Sequence, residues 1–508
     1  MVAAFAANER PDGNPATGKY IELTNPTSGH TYTLYQVFTG TFAVIDGEDT
    51  LGNLAWGSDV KSTYTAANTA DAVAATITNT AAGARAFANT IDAQLEGGTT
   101  KTAPGDAEQN GALKWTNLSE GYYIIKDTTS SADMPEGHTA DLVVVQVLDN
   151  VSIAAKSGTV TFDKKVADHN DSTQAPTVYD EYGQVSDYDV GDHVPYEITI
   201  TLPANFADYA TYSMTVKDNM DSGLVFDNDV EVYVGDSTTA LASTYYSVVT
   251  ENIDESFNIV FSDVKSIPGA AANVTFTVKY HATLNGSNIK YGKPGNENEA
   301  WLTYSNNPTT GQEGGTTPHK TTLTFVYKFE VDKVDPDGYP LDGATFALYK
   351  YEMTSATEGS WVQKTLVEAQ SGTEFTIDGI DAGWYKLVET ASPAGYNSID
   401  PIYFVVEHTY NADGTDITGL TATKTSDQGT KLTGNDAQLS ATLEHVEATA
   451  EHEEIAAGLV STNVVNEQGT QLPSTGGIGT TLFYVGGGIL VLAAVILLVT
   501  KKRMSAND

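Results

Sequence analysis

Residues Ile478 to Thr500 form a run of 23 residues that carries no charge and is interrupted only by glycines and a few polar residues. A run of that length is enough to span the hydrocarbon core of a bilayer. Lys501-Lys502-Arg503 follows at once, and a basic cluster behind a span stays on the cytoplasmic side. The rest of the chain, residues 1 to about 470, is therefore expected outside the cell. Directly before the span stands Leu472-Pro473-Ser474-Thr475-Gly476.

Pentapeptide, span and basic tail, in that order, resemble the cell-wall sorting signal of Gram-positive surface proteins. The resemblance implies that a sortase cuts between Thr475 and Gly476 and passes the Thr475 carboxyl to an amine. The alternative is a plain C-terminal membrane anchor in which the pentapeptide has no role. At the other end, Ala4-Phe5-Ala6 looks like the small-residue end of an export signal, so residues 1–7 are read as its remnant.

Composition narrows the function classes. The 508 residues suggest roughly three domains. A net charge of −40, from 66 acidic and 26 basic residues, argues against nucleic-acid binding, which needs a basic footprint. There is no cysteine, so disulfides, thiolate metal sites and thiol redox motifs are excluded.

Short runs rich in β-branched and aromatic residues recur, separated by Gly, Pro, Asn and Asp. That pattern predicts all-β sandwiches. A first unit, residues 8–156, has strand-like runs at Tyr32–Phe38, Gly121–Asp127 and Leu142–Leu148. An alanine-rich stretch between Ala66 and Leu95 favours a helical insertion. A second unit covers residues 158–306. Residues 307–320, rich in Gly, Pro and Thr, read as a linker. A third unit covers residues 321–467, and the acidic stretch Glu444 to Ala457 within it is expected to be a helical insertion. The sorting signal takes residues 468–508, with the span at 478–500.

Side chains along a strand alternate between faces, so parity assigns residues to the core. In the third unit Lys333 shares a face with Phe329 and Val331, Glu389 with Tyr385 and Leu387, and Asn466 with Val464. A buried unpaired lysine or glutamate is costly. A Lys–Asn isopeptide bond removes the cost. Burial lowers a lysine pKa and raises a carboxyl pKa. A neutral amine can then attack the asparagine carboxamide while the carboxyl shuttles protons and ammonia leaves. In the second unit Lys164 aligns with Phe162, Asp218 with Met214 and Val216, and Asn298 with Ala300 and Leu302. Asn306 and Asn463 are weaker alternatives, the first at its strand's end and the second of the wrong parity. The other reading of both groups is an ordinary ion pair with capping asparagines.

Two stretches give this chemistry a family. Lys333 with Leu341-Asp342-Gly343-Ala344-Thr345-Phe346, and the box from Tyr385 to Thr390 followed by Pro393-Ala394-Gly395-Tyr396, resemble the B-type domain of collagen adhesins. The second unit, with Asp218 shortly before Gly223-Leu224, resembles the middle domain of pilus backbones. The resemblance implies tandem immunoglobulin-like (collagen-adhesin A/B-type) sandwiches. It also implies crosslinks Lys164–Asn298 and Lys333–Asn466, with Asp218 and Glu389 as the acids. Backbone pilins also carry a polymerising lysine at the end of their first domain, commonly after Tyr-Pro. Here Lys156 stands in that place, after Ala154-Ala155.

In the first unit Asp127 sits where the third has Glu389. Leu23 holds the corresponding first-strand place, and Lys19 lies off the pattern. Asp335 with Asp337, and Asp227 with Asp229, lack calcium-loop spacing and read as acidic turns. Nine histidines form no i, i+4 pair. No metal or cofactor is expected.

The reading is a backbone pilin. Its expected partners are pilin-specific and housekeeping sortases, copies of itself, minor and tip pilins, peptidoglycan and host surface ligands. The alternatives are a monomeric wall-anchored adhesin and an extracellular hydrolase, for which no catalytic motif is present.

Overall fold

The computed structural model describes residues 4–5, 18–45, 48–78, 80–130, 132–140, 142–147, 150–155, 158–251, 253–308, 313–368, 372–448, 454–469 and 478–504. Their strands form three successive pairs of β-sheets.

In the first pair, Lys19–Thr24 lies between Leu113–Leu118 and Val151–Ala154, antiparallel to the former and parallel to the latter. The facing sheet centres on the long strand Thr31–Ile45, flanked by Gly121–Asp127 and Glu48–Trp56. Ile21, Leu23 and Trp115 meet Tyr32, Leu34 and Ile125 between the sheets. The outer face of the larger sheet is apolar too. A register irregularity between Gln36 and Phe38 lets both Val37 and Phe38 join that outer core. The helix Ala81–Ile91 covers it through Ala84, Phe87, Ala88 and Ile91. Thr80 caps this helix by accepting the Gly83 amide hydrogen. The expected helical insertion is thus three helices, Ser62–Thr65, Ala70–Ala74 and Ala81–Ile91.

The second pair packs Thr161–Val166, His193–Thr201 and Thr275–Leu284 against Met214–Met220, Phe257–Phe261 and Asn296–Ser305. Inward residues alternate along much of these strands, as in the buried Tyr196, Ile198 and Ile200. The expected linker is not structureless, because Glu313–Thr316 pairs with Thr303–Ser305. Nor does Lys320–Phe325 open the third unit. It runs antiparallel to Asn296–Ala300 and parallel to Val185–Asp187, so it is a strand of the middle domain. Its own side chains read equally well for either sheet; pairing with a distant strand decides.

In the third pair, Tyr327–Val334 lies between Glu374–Ile380 and the parallel strand Leu459–Val465. The facing sheet runs Gly359–Lys364, Thr345–Met353, Gly383–Ala391, Ile402–Tyr410, Ile417–Thr425. The described part of Glu444 to Ala457 is not helical. Val446 forms an antiparallel bridge with Ile455, and Glu444, Glu447 and Glu454 are exposed. The C-terminal helix is Ile478–Met504, and Phe483–Lys502 within it, with mean hydropathy 2.5, is long and apolar enough to cross a membrane.

Candidate functional site

In the middle domain the strand Thr161–Val166 turns Phe162, Lys164 and Val166 inward. Lys164 is fully buried, and so are Asp218 and Asn298 on the facing sheet. Lys164 Nζ lies 2.5 Å from Asp218 Oδ2. It also donates to the Tyr280 hydroxyl at 2.9 Å. That hydroxyl donates to Asp218 Oδ2 at 2.6 Å and accepts from Asn298 Nδ2 at 3.3 Å. One phenol therefore links amine, acid and amide. Tyr280 is itself fixed by stacking on Tyr196, with ring centroids 5.2 Å apart.

Burial lowers the Lys164 amine to about 8, against the opposing pull of Asp218. Burial also raises the Asp218 carboxyl, against Lys164 and Tyr280. Asp218 Oδ1 and Asn298 Oδ1 are buried with no hydrogen-bond partner among the described residues. A proton on Asp218 would supply a donor where two acceptors now lack one. The arrangement thus shifts both groups toward their neutral forms.

In the third domain Lys333 is the last inward residue of Tyr327–Val334. Its strand runs parallel to Leu459–Val465 with Lys333 opposite Val464. Lys333 Nζ donates to the carbonyls of Val334 at 2.8 Å and Val464 at 3.1 Å. Asn466, two residues past Val464, is fully buried and donates through Nδ2 to Glu389 Oε1 at 2.8 Å and Oε2 at 2.9 Å. The same nitrogen reaches the Asn397 carbonyl at 2.9 Å. Asn466 Oδ1 has no partner among the described residues. Burial lowers the Lys333 amine, opposed by Glu389. The carboxylate thus grips the nitrogen that would leave as ammonia, and the amine is held beside the strand that carries the carboxamide. Asn463 is exposed.

The first domain is different. Asp127 bonds His30 Nδ1 at 2.6 Å and the Thr129 hydroxyl at 2.5 Å, and Leu23 is core. Lys19, expected off the pattern, is buried and paired with Glu120 at 2.6 Å. Its strand begins with it, so no preceding alternation marks it as inward. Tyr280 was equally hidden in sequence, since tyrosine is an ordinary strand residue. Asp335 Oδ1 accepts the amides of Asp337 and Tyr339, which accounts for that acidic turn. Asp227 and Asp229 pair with His193 and His281. Asp168, Asp187 and His408, which no sequence spacing connects, lie with their ligand atoms within 4.8 Å of one another. Lys156 and Leu472, Pro473, Ser474, Thr475 and Gly476 lie outside the described residues.

Comparison with known proteins places three families along the chain. Residues 190–308 match the Gram-positive pilin backbone subunit 2, Cna-B-like domain. Residues 327–419 match the SpaA prealbumin-like fold domain, and residues 464–505 match the LPXTG cell wall anchor motif. The trypsin-resistant surface T6 protein of Streptococcus pyogenes serotype M6 is 23% identical over 435 residues, covering 76% of this chain and 74% of that protein. The solved T6 backbone pilin of the same organism, described as a modular three-domain structure decorated with variable loops and extensions, superimposes with a TM-score of 0.53 at 19% identity. The match covers 90% of this chain and 100% of that one. The chain carries, in order, a domain that matches a Gram-positive pilin backbone subunit, a prealbumin-like domain and the cell-wall anchor that places it outside the cell.

Proposed function

We propose that this chain is the structural subunit of a covalently polymerised surface pilus, and that the Thr475 carboxyl of each copy is joined by a sortase to Lys156 of the next. The observation that carries the reading is the succession of a pilin backbone domain, a prealbumin-like domain and an LPXTG anchor in one chain. A pilin-specific sortase would extend the polymer, and a housekeeping sortase would pass the last subunit to peptidoglycan. Minor and tip pilins are further partners.

Within each subunit two bonds would form without an enzyme. Lys164 Nζ attacks Asn298 Cγ, the new amide replaces the carboxamide, and ammonia leaves with a proton relayed by Asp218. Lys333, Asn466 and Glu389 act likewise. Each bond exchanges a buried ionisable amine for a neutral amide, which removes the cost of keeping it there.

The test uses wall extracts on denaturing gels, from cells making the native chain or Lys156→Ala. A high-mass ladder that vanishes in the variant is the expected result. A ladder that persists would move the acceptor amine elsewhere. A single wall-linked band from the native chain would overturn polymerisation and leave a monomeric adhesin.

A further inference from the structure

Only Val326 separates the last strand of the middle domain, Lys320–Phe325, from the first strand of the third, Tyr327–Val334. A single covalent joint of this kind permits rotation unless a second contact fixes it. One such contact is made by residues 168–192 of the middle domain, which reach over to the third, and another by Lys293, which pairs with Asp416 at 3.0 Å and whose amide donates to the Leu443 carbonyl.

Lys350, in Thr345–Met353, is fully buried on the face that carries Leu348, opposite Tyr385 of the third domain's core. Its Nζ lies 2.6 Å from Asp381 Oδ1 in its own domain. It lies 2.7 Å from Asp171 Oδ2 and 3.2 Å from Asp189 Oδ2 in the middle domain. Lys364 adds a second cation 2.8 Å from Asp189. Backbone bonds surround the charges. The Met353 amide donates to the Asp171 carbonyl at 2.7 Å, and the Asp381 amide to Asp189 Oδ1 at 3.0 Å. The Ala382 amide donates to Asp187 Oδ2 and the Trp384 amide to Ser172 Oγ, both at 2.8 Å. The backbones also approach closely. A Cβ at Gly379, whose φ is +113°, would stand 2.4 Å from Val190 Cγ2.

We infer that Lys350 is an inter-domain clamp that holds the middle and third domains at one fixed angle. Three carboxylates converge on one ammonium, and two of them come from the other domain. Without the cation they would repel one another in a site where only Asp171 is partly open to water, which is far less favourable than the paired state. The cation therefore ties the docked domains to one geometry, where an exposed ion pair would constrain little. It acts on each subunit alone and holds whether or not subunits polymerise.

The chain has no cysteine, so Ala240→Cys and Ala412→Cys, one exposed site in each domain, accept a unique pair of nitroxide labels. Distances are measured on the full chain in detergent, with far-UV circular dichroism as the check of folding. The native chain is expected to give one narrow distribution. Lys350→Met should widen it at least twofold, and Asp171→Asn, which removes one cross-domain partner from a half-buried position, should widen it less. A folded Lys350→Met chain with the native distribution overturns the clamp. Should that variant fail to fold, Asp171→Asn combined with Ser172→Ala is measured instead, and a native distribution there overturns it.

Discussion

Lys164 Nζ and Asp218 Oδ2 stand 2.5 Å apart with neither side chain exposed to solvent. A pair this deep either persists as a costly buried ion pair or exchanges its proton and becomes reactive. The unpartnered Asp218 Oδ1 and Asn298 Oδ1 favour the second. The folded chain should therefore weigh less than its sequence by two molecules of ammonia. Lys164→Ala and Lys333→Ala should each restore one, read by intact-mass spectrometry. Full sequence mass in the folded native chain would reject both bonds.

Stability should follow the bonds. Lys333 and Asn466 lie 133 positions apart, and a crosslink closing so long a loop contributes about 4–5 kcal/mol by the chain-entropy model. Glu389→Gln keeps the side chain's shape but removes the acid. Its third domain should unfold earlier in denaturant by roughly that amount, while the middle domain's transition stays put.

Tyr280 gives a finer test. Its hydroxyl touches Lys164, Asp218 and Asn298 at once. Tyr280→Phe removes those bonds and little volume. Loss of even one of these bonds to an ionisable group, about 1.5 kcal/mol, should slow crosslinking in the middle domain by at least about tenfold. The fraction of chains lighter by that ammonia, followed after refolding, reads the rate. An unchanged rate would leave Tyr280 a packing residue only.

The contact between middle and third domains should depend on pH. Burial and the adjacent Asp187 carboxylate push Asp168 up to about 7. Burial opposes charge on His408, but Asp187 and Asp168 outweigh it and raise the imidazole to about 9. Asp180 and Glu407 act in the same sense, and the Tyr410 hydroxyl reaches Asp168 at 3.4 Å. Both groups hold protons more tightly in the folded chain than free. Their contribution is therefore complete at low pH and is lost as pH rises through the folded-state values. Inter-domain distances should broaden progressively as pH climbs from about 4 through about 9, Asp168 acting up to about 7 and His408 above it, and His408→Gln should flatten the dependence above pH 7.

Parity along strands was enough to place Lys164, Asp218, Asn298, Lys333, Glu389 and Asn466 on inward faces, because each sits in or beside a run whose apolar neighbours declare that face. It failed where that local pattern is missing. Lys19 opens its strand. Lys320–Phe325 has no side chains that choose between two sheets. Asp171, Asp189 and Lys350 belong to segments about 160 to 180 positions apart, and nothing in either segment announces the other. Tyr280 was visible as a strand residue and invisible as a polar bridge. Alternation reports which side of a sheet a residue takes, and it is silent on what arrives from the opposite side.

The direct succession of Lys320–Phe325 and Tyr327–Val334 has a mechanical consequence. With both internal bonds closed and Thr475 joined to a neighbour's Lys156, tension would enter at 466–475, cross to Lys333, run back along 298–333 and leave through 156–164. Each sandwich would then hang beside a short spine instead of lying in it. The first domain would be spared altogether, so its loops could diverge or come undone without lengthening the fibre. The segment about Val326 would be the one stretch of spine between the two bonded cores, and the fibre's compliance would concentrate there.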